Sequence, residues 1–153
     1  MSREPPKRAE PPKQVEPPKR AEPPKRVVPP RVAVVRNIAE VLWDELPGHH
    51  GGALSKLLVH PDSVGSRHID HRISSYAPKA FVAAHTHRIQ EQVYHVLEGE
   101  GIMEIDGERR VVRRHDVIFI PPGVQHALYN TGLTALTFLV ITAPVSDDAP
   151  PAP

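Results

Sequence analysis

Two histidines separated by one residue, His85 and His87, have the clearest capacity for chemistry in this chain. Side chains alternate along a β-strand, so both imidazoles would project from one face about 6.6 Å apart, close enough to bind one metal ion. A third histidine, His126, lies in "PPGVQHALYN", after a turn signal and on a separate strand-like segment. An antiparallel fold can bring that segment alongside the first, so the sequence predicts three imidazoles around one divalent cation.

The spacing of these residues resembles that of the cupin family, small jelly-roll barrels marked by two motifs. The first motif runs G, five residues, HxH, three or four residues, E, six residues, G, and three residues match it here: His85, His87 and Gly99. The second runs G, five residues, PxG, two residues, H, three residues, N, and four residues match it: Pro121, Gly123, His126 and Asn130. The resemblance covers roughly residues 54–143 and implies an all-β, cupin-type jelly-roll barrel or sandwich.

Three positions depart from these motifs. Lys79 and His115 stand where each motif begins with Gly, so each implies a turn of another type or modest backbone strain. Counting back from Gly99 places Gln92 where most of the family has Glu. Strand alternation then points Glu91 away, so Gln92 is favoured as the fourth metal ligand. Glu91 brought inward by a β-bulge, or a three-histidine site completed by water, remain as alternatives.

An amide ligand has a chemical consequence for such a site. Gln92 would supply an oxygen without charge, so the ion would keep its full positive charge to polarise a bound substrate or water. Carboxylate or enolate ligands would be favoured, and the metal would be held more weakly than by a carboxylate. Imidazole and amide ligands suit Fe(II), Zn, Ni, Cu or Mn, and the sequence does not choose among them.

Other candidate site residues lie on neighbouring strand-like segments. In "RHIDHRISSY", alternation puts Arg72 and Tyr76 on one face. If that face lines the cavity, Arg72 would bind a substrate carboxylate and Tyr76 would act as a catalytic acid. If it faces solvent, which is favoured, the segment is an ordinary surface or dimer strand. Tyr94, two residues beyond Gln92, is a second catalytic candidate.

The first 31 residues differ in composition from the rest. A six-residue unit starting at Glu4 repeats four times, as "EPPKRA", "EPPKQV", "EPPKRA" and "EPPKRV". Paired prolines favour polyproline II over helix or sheet. This segment carries nine Lys/Arg and four Glu, which leaves ten Lys/Arg and fourteen Asp/Glu, or −4, in the remaining chain. We expect a disordered, solubilising tail, with a Pro-recognition partner as the alternative; without aromatic residues for base stacking, specific nucleic-acid binding is not expected.

The rest of the chain divides into three parts. Residues 32–53 are predicted to be a lead-in with a short helix or turns, since "NIAEVLWDELPG" has helical apolar spacing between an N-cap and a Pro-Gly stop. Residues 54–145 form the predicted cupin domain, with nine strand-like segments and a "DG" hairpin signal at 106–107. Residues 146–153 are a predicted disordered C-terminal tail. Three other histidines, His49, His50 and His60, are interpreted as solvated loop residues.

Composition excludes several kinds of protein. The 153 residues include no cysteine, so disulfide scaffolds, thiolate zinc sites and cysteine nucleophiles are excluded. No apolar run approaches the ~20 residues of a membrane span, and the N-terminus has no secretory pattern. We therefore expect a cytoplasmic protein.

The resemblance implies a function for the small-molecule cavity of the barrel. We expect a metal-dependent enzyme that acts on a small oxygen-bearing organic substrate, with a dioxygenase (an oxidoreductase) favoured and a polyketide cyclase or isomerase close behind. A homodimer is expected because small cupins usually pair through sheet faces. The alternative is a non-catalytic cupin that binds or senses a metabolite.

Overall fold

The computed structural model describes residues 32–148. The predicted N-terminal tail, residues 1–31, and residues 149–153 of the predicted C-terminal tail lie outside the described residues. In the described part, no helix is long and apolar enough to cross a membrane.

The described chain is built mainly of β-strands. They are β1 (Asp44–Glu45), β2 (His49–His50), β3 (Ala53–Val59), β4 (Asp70–Tyr76), β5 (Phe81–His85), β6 (Glu91–Glu98), β7 (Glu100–Ile105), β8 (Glu108–Arg113), β9 (Val117–Ile120), β10 (His126–Tyr129) and β11 (Leu136–Ala143). A 3-10 helix spans Ile38–Glu40, and a one-turn helix, α1, spans Pro61–Val64. The nine strands from β3 onward correspond to the nine predicted segments.

The strands form two antiparallel sheets. One has six strands in the order β1-β3-β4-β11-β6-β9, and the other has five in the order β2-β5-β10-β7-β8. Strands distant in sequence are neighbours, as in the pairs β4 with β11 and β5 with β10. Such crossovers in an antiparallel double sheet are those of a jelly roll. The predicted all-β fold is confirmed.

Alternation along the strands places one row of side chains between the sheets. In β6 the buried positions are Gln92, Tyr94 and Val96, while Glu91 and Glu98 are exposed. The largest buried apolar side chains of the core come from five different strands: Tyr76, Phe138, Met103, Ile120, Leu128 and Leu136. Gln92, one of the metal-ligand candidates, thus shares a strand face with the core residues Tyr94 and Val96.

Residues with positive φ occur at the predicted hairpin and at two departures from the family motifs. Asp106 and Gly107 both have positive φ, 49° and 82°, which suits the tight hairpin between β7 and β8. Lys79 and His115 also have positive φ, 72° and 77°. They keep the backbone conformation that Gly would adopt more easily, so strain, rather than a different turn, follows from the missing glycines.

Of the short helix or turns predicted for the lead-in, the structure has a single 3-10 turn. Asn37 caps a single 3-10 turn by accepting from the Ala39 N–H at 2.8 Å. The chain then turns extended, with Asp44 opposite Ser55 of β3 and His49 opposite Val82 of β5. Pairing with two existing strands outweighs a short helical pattern, because isolated short helices are marginal.

Candidate metal centre

The three predicted imidazoles meet in one cluster. His85 ends β5, His87 follows it by two residues, and His126 begins β10 directly opposite His85. One candidate ligand nitrogen from each ring lies within 4.8 Å of the other two. The ring centroids of His85 and His126 are 4.3 Å apart, and those of His85 and His87 are 5.0 Å apart. These three side chains could together hold one metal ion.

Backbone carbonyls orient two of the rings. His85 Nδ1 lies 2.8 Å from the oxygen of Ala83, and His126 Nδ1 lies 3.1 Å from that of Val124. An N–H at each Nδ1 can donate to those oxygens and leaves Nε2 for a cation. His87 Nε2 is buried with no hydrogen-bond partner among residues 32–148. Because such an atom is costly to leave unpaired, a cation in the cluster suits His87 as well.

Gln92, rather than Glu91, faces the histidines. In the ladder Gln92 lies opposite Ile120 of β9 and Thr142 of β11, so β6 keeps its alternation at this point. Gln92 is 8% exposed, and its Oε1 lies 2.8 Å from His126 Nε2. Glu91 is exposed. The β-bulge that would have brought Glu91 inward is absent from this part of the described strand.

The Gln92–His126 contact depends on which ring nitrogen of His126 carries the proton. Burial lowers the pKa of His126 to about 4, against a smaller upward effect of the Val124 carbonyl, so the ring is neutral near pH 7. A proton on Nε2 can be donated to Gln92 Oε1, whereas a proton on Nδ1 is donated to the Val124 oxygen and leaves Nε2 as an acceptor facing the amide oxygen. Tyr94 donates its hydroxyl to the same amide oxygen at 2.9 Å. In the second tautomer, a cation between Nε2 and Oε1 would satisfy both acceptor atoms.

A cavity of about 510 Å³ borders the cluster. Arg72 and Tyr76 line it, so the polar face of β4 turns inward and the favoured solvated arrangement is wrong. An internal ion pair stabilises the inward-facing guanidinium of Arg72. Asp70, which is 1% exposed, accepts from Arg72 Nε at 2.9 Å and also from Nη2. Within the described structure, Arg72 Nη1 is the guanidinium nitrogen that this ion pair leaves for a ligand.

The two tyrosine candidates differ in what they contact. Burial raises the pKa of both Tyr76 and Tyr94 above the ordinary value, so both are protonated near neutral pH. Tyr94 is engaged with Gln92 Oε1. Both tyrosines line the cavity, and Tyr76 packs edge-on against Phe138, with centroids 5.0 Å apart. Because the Tyr94 hydroxyl is already bonded to Gln92, Tyr76 is the candidate favoured to meet a ligand and Tyr94 the one that positions Gln92.

His49 is a cavity residue that the sequence did not reveal. It lines the cavity, and its ring stands edge-on to Tyr76 with centroids 5.8 Å apart. Burial lowers its pKa, against an upward effect of the Pro47 carbonyl 3.1 Å from Nδ1. The interpretation as a solvated loop residue is wrong for His49. Its Gly-rich neighbourhood carried no signal, because the strand that places it is two residues long.

Comparison with known proteins supports the family. A family model described as a cupin domain matches residues 72–142. An uncharacterised protein of Methanocaldococcus jannaschii is 38% identical over 60 residues, 39% of this chain; the match spans only 48% of that protein. An oxalate-binding protein of Thermotoga maritima is 29% identical over 111 residues, which are 71% of this chain and 91% of that protein.

The fold is also similar to that of solved structures. The solved structure of the polyketide cyclase RemF from Streptomyces resistomycificus superposes with a TM-score of 0.66 at 23% identity, covering 75% of this chain and 81% of that one. The family match runs from β4 to β11 and so includes all three clustered histidines. The chain is therefore a small protein of the cupin superfamily.

Proposed function

We propose that this chain is a metal-dependent enzyme acting on a small oxygen-bearing organic molecule that binds beside the three histidines. The observation that carries the proposal is the convergence of three imidazoles and the Gln92 oxygen on a cavity of about 510 Å³. His85, His87, Gln92 and His126 are the proposed ligands. The resident ion is Fe(II), Zn, Ni, Cu or Mn, which all accept imidazole and amide donors.

The residues of the cavity have distinct proposed roles. A bound ion would supply Lewis acidity toward a carboxylate or enolate oxygen. Arg72 would bind a substrate carboxylate through Nη1, while Asp70 holds the guanidinium in place. Tyr76, which stays protonated because burial raises its pKa, would donate its proton to a substrate oxygen. Tyr94 would keep Gln92 Oε1 directed at the histidines.

Among reaction types we place dioxygenation first and redox-neutral cyclisation or isomerisation second. All four proposed donors are neutral, so the ion keeps its charge to bind an enolate or carboxylate, a step that both classes share. Metal analysis of the purified protein, combined with oxygen uptake over a panel of small carboxylates and phenols, separates them. Bound iron with substrate-dependent uptake supports the dioxygenase, and zinc without uptake supports the cyclase or isomerase. Protein that retains no metal after loading contradicts the proposal.

A second candidate is a non-catalytic cupin that binds a small carboxylate. The relative named as oxalate-binding, aligned over 91% of its own length, favours this function. Calorimetry of the metal-loaded protein with oxalate and longer dicarboxylates would test it. Saturable binding with no product after long incubation would support a binding protein over an enzyme.

Three further expectations concern partners and location. The homodimer, the cytoplasmic location and the solubilising tail of residues 1–31, with a Pro-recognition partner as its alternative, remain predictions. Sedimentation of the purified protein checks the first, with a mass twice that of the chain as the expected result.

A further inference from the structure

Asp147, which the sequence predicts to belong to the C-terminal tail, lies against the loop that carries His87. Its Oδ2 accepts from the backbone N–H of Arg88 at 2.7 Å. Its Oδ1 accepts from the N–H groups of Ile89 at 2.8 Å and Gln90 at 3.3 Å. One carboxylate, 59 residues from Arg88 in the chain, therefore satisfies three consecutive backbone donors.

The loop needs such a partner. Residues 86–90 connect β5 to β6 and belong to neither strand. Backbone donors outside a ladder must find other acceptors, and an ionised carboxylate is a strong one. Desolvation raises the pKa of Asp147, but the three N–H groups outweigh it and hold that pKa below its ordinary value. The carboxylate is therefore ionised at neutral pH.

Further contacts join the same two segments. Arg88 Nη2 donates to the backbone oxygen of Asp147 at 2.7 Å, and Gln90 Nε2 donates to that of Pro144 at 2.9 Å. The oxygen of His87 itself accepts from the Gly123 N–H at 2.8 Å. His87 thus sits in a loop fixed from one side by residues 144–147 and from the other by the turn that precedes His126.

We propose that Asp147 is a positioning residue for the metal centre: its carboxylate fixes the loop 86–90 and, through it, the direction of the His87 ring. The proposal rests on the proposed metal-binding function. Asp147 is not proposed as a ligand; it acts on the backbone N–H groups of residues 88–90, directly after His87. Metal affinity should therefore depend on a side chain that belongs to neither cupin motif.

Cobalt(II) titration, followed by its visible absorption, tests this inference on the full chain. Asp147→Ala should weaken the cobalt Kd by about tenfold, the lower end of what loss of an orienting partner costs. Asp147→Asn, which keeps one acceptor oxygen, should lie between Asp147→Ala and the native protein. Asp148→Asn is the matched control: it removes the same charge from an exposed neighbour and should leave the Kd unchanged. Amide hydrogen exchange at residues 88–90 should be faster in Asp147→Ala.

The outcomes separate this inference from the proposed function. Titrations are run well below the melting temperatures of the metal-free native protein and of each metal-free Asp147 variant. A purely structural role of Asp147 would lower the melting temperature without changing the Kd. If the native protein binds cobalt and both Asp147 variants bind it equally well, the positioning role is overturned and the metal site stands. If Asp147→Ala does not fold, the Asp147→Asn comparison decides. A native protein that binds no cobalt overturns both.

Discussion

His126 and His87 supply imidazoles to the same cluster but are held in different ways. His126 lies in β10, between His85 of β5 and Ile105 of β7, and is 1% exposed. His87 lies in a loop whose position depends on Asp147 and on one backbone bond to Gly123. A ligand inside a sheet is fixed by ladders that substitution of side chains does not remove. A ligand in a loop depends on a few separate contacts. We therefore expect substitution of contacting side chains to displace His87 more readily than His126.

The largest expected effect comes from the ladder-held ligand itself. His126→Ala removes one of four proposed ligands, so metal affinity should fall by more than about 100-fold, the upper end of what loss of an orienting partner costs. The fold should persist, because the ladders of β10 are backbone bonds. Metal content by mass spectrometry, with circular dichroism for folding, measures both. The matched control is His95→Ala, three residues from Gln92 on the opposite face of β6; metal loss there would contradict the assignment.

A smaller effect is expected at the amide ligand. Gln92→Glu should tighten metal binding on the order of tenfold, because added ligand charge raises affinity for a cation. The metal-free variant should melt at a lower temperature, since a buried carboxylate without a cation is costly. Calorimetric titration and thermal unfolding measure the two effects. Glu91→Gln should change neither, and a change there instead would indicate that Glu91 is the ligand.

Both histidines should couple stability to pH in the same direction. Burial lowers the pKa of His126 from 6.5 to about 4, and burial also lowers that of His87. Between pH 6.5 and 4, His126 binds a proton in the unfolded chain but not in the folded protein. The metal-free protein should therefore lose stability as pH falls through this window. Urea unfolding in the presence of a chelator measures the slope. His126→Asn should flatten it; a slope as steep as that of the native protein would contradict the assignment.

The smallest expected effects lie in the turns that lead into the two motifs. Lys79 and His115 both have positive φ, which costs a non-Gly residue roughly 1 kcal/mol. Lys79→Gly and His115→Gly should therefore each raise the free energy of unfolding by about 0.5–1 kcal/mol, measured by urea denaturation. Lys79→Ala, which keeps the strain, should give no gain. A loss of stability in both glycine variants would show that these side chains stabilise their turns.

Much of the fold could be predicted from the sequence because it depends on local patterns. Alternating apolar residues predicted the strands from β3 onward, and Asp106-Gly107 predicted the hairpin between β7 and β8. The two-residue strands β1 and β2 were missed, since four residues carry no periodicity and their stability comes from pairing with β3 and β5. The structure of the lead-in is determined by pairing with distant strands rather than by local helix propensity.

The candidate site was readable only as far as motif spacing extends. His85, His87, Gln92 and His126 follow from it, and the structure brings all four together. The inward turn of β4 depends on the Asp70–Arg72 ion pair and on the Ser55–Ser74 hydrogen bond at 2.8 Å. No rule of sequence spacing distinguishes such internal pairs from solvated ones. The contact of Asp147 with a loop 59 residues earlier is equally invisible in the chain.

The hydrogen bond from Gly123 to His87 bears on how this cavity could acquire a new specificity. It joins the loop that carries His87 to the turn that precedes His126 through main-chain atoms alone, so most exchanges of side chains leave it in place. This link is thereby less sensitive to sequence drift than the contact made by the Asp147 carboxylate. Residues 46–49, which also line the cavity and lie outside the matched family region, are where a lineage could reshape the wall while leaving the ion's surroundings intact.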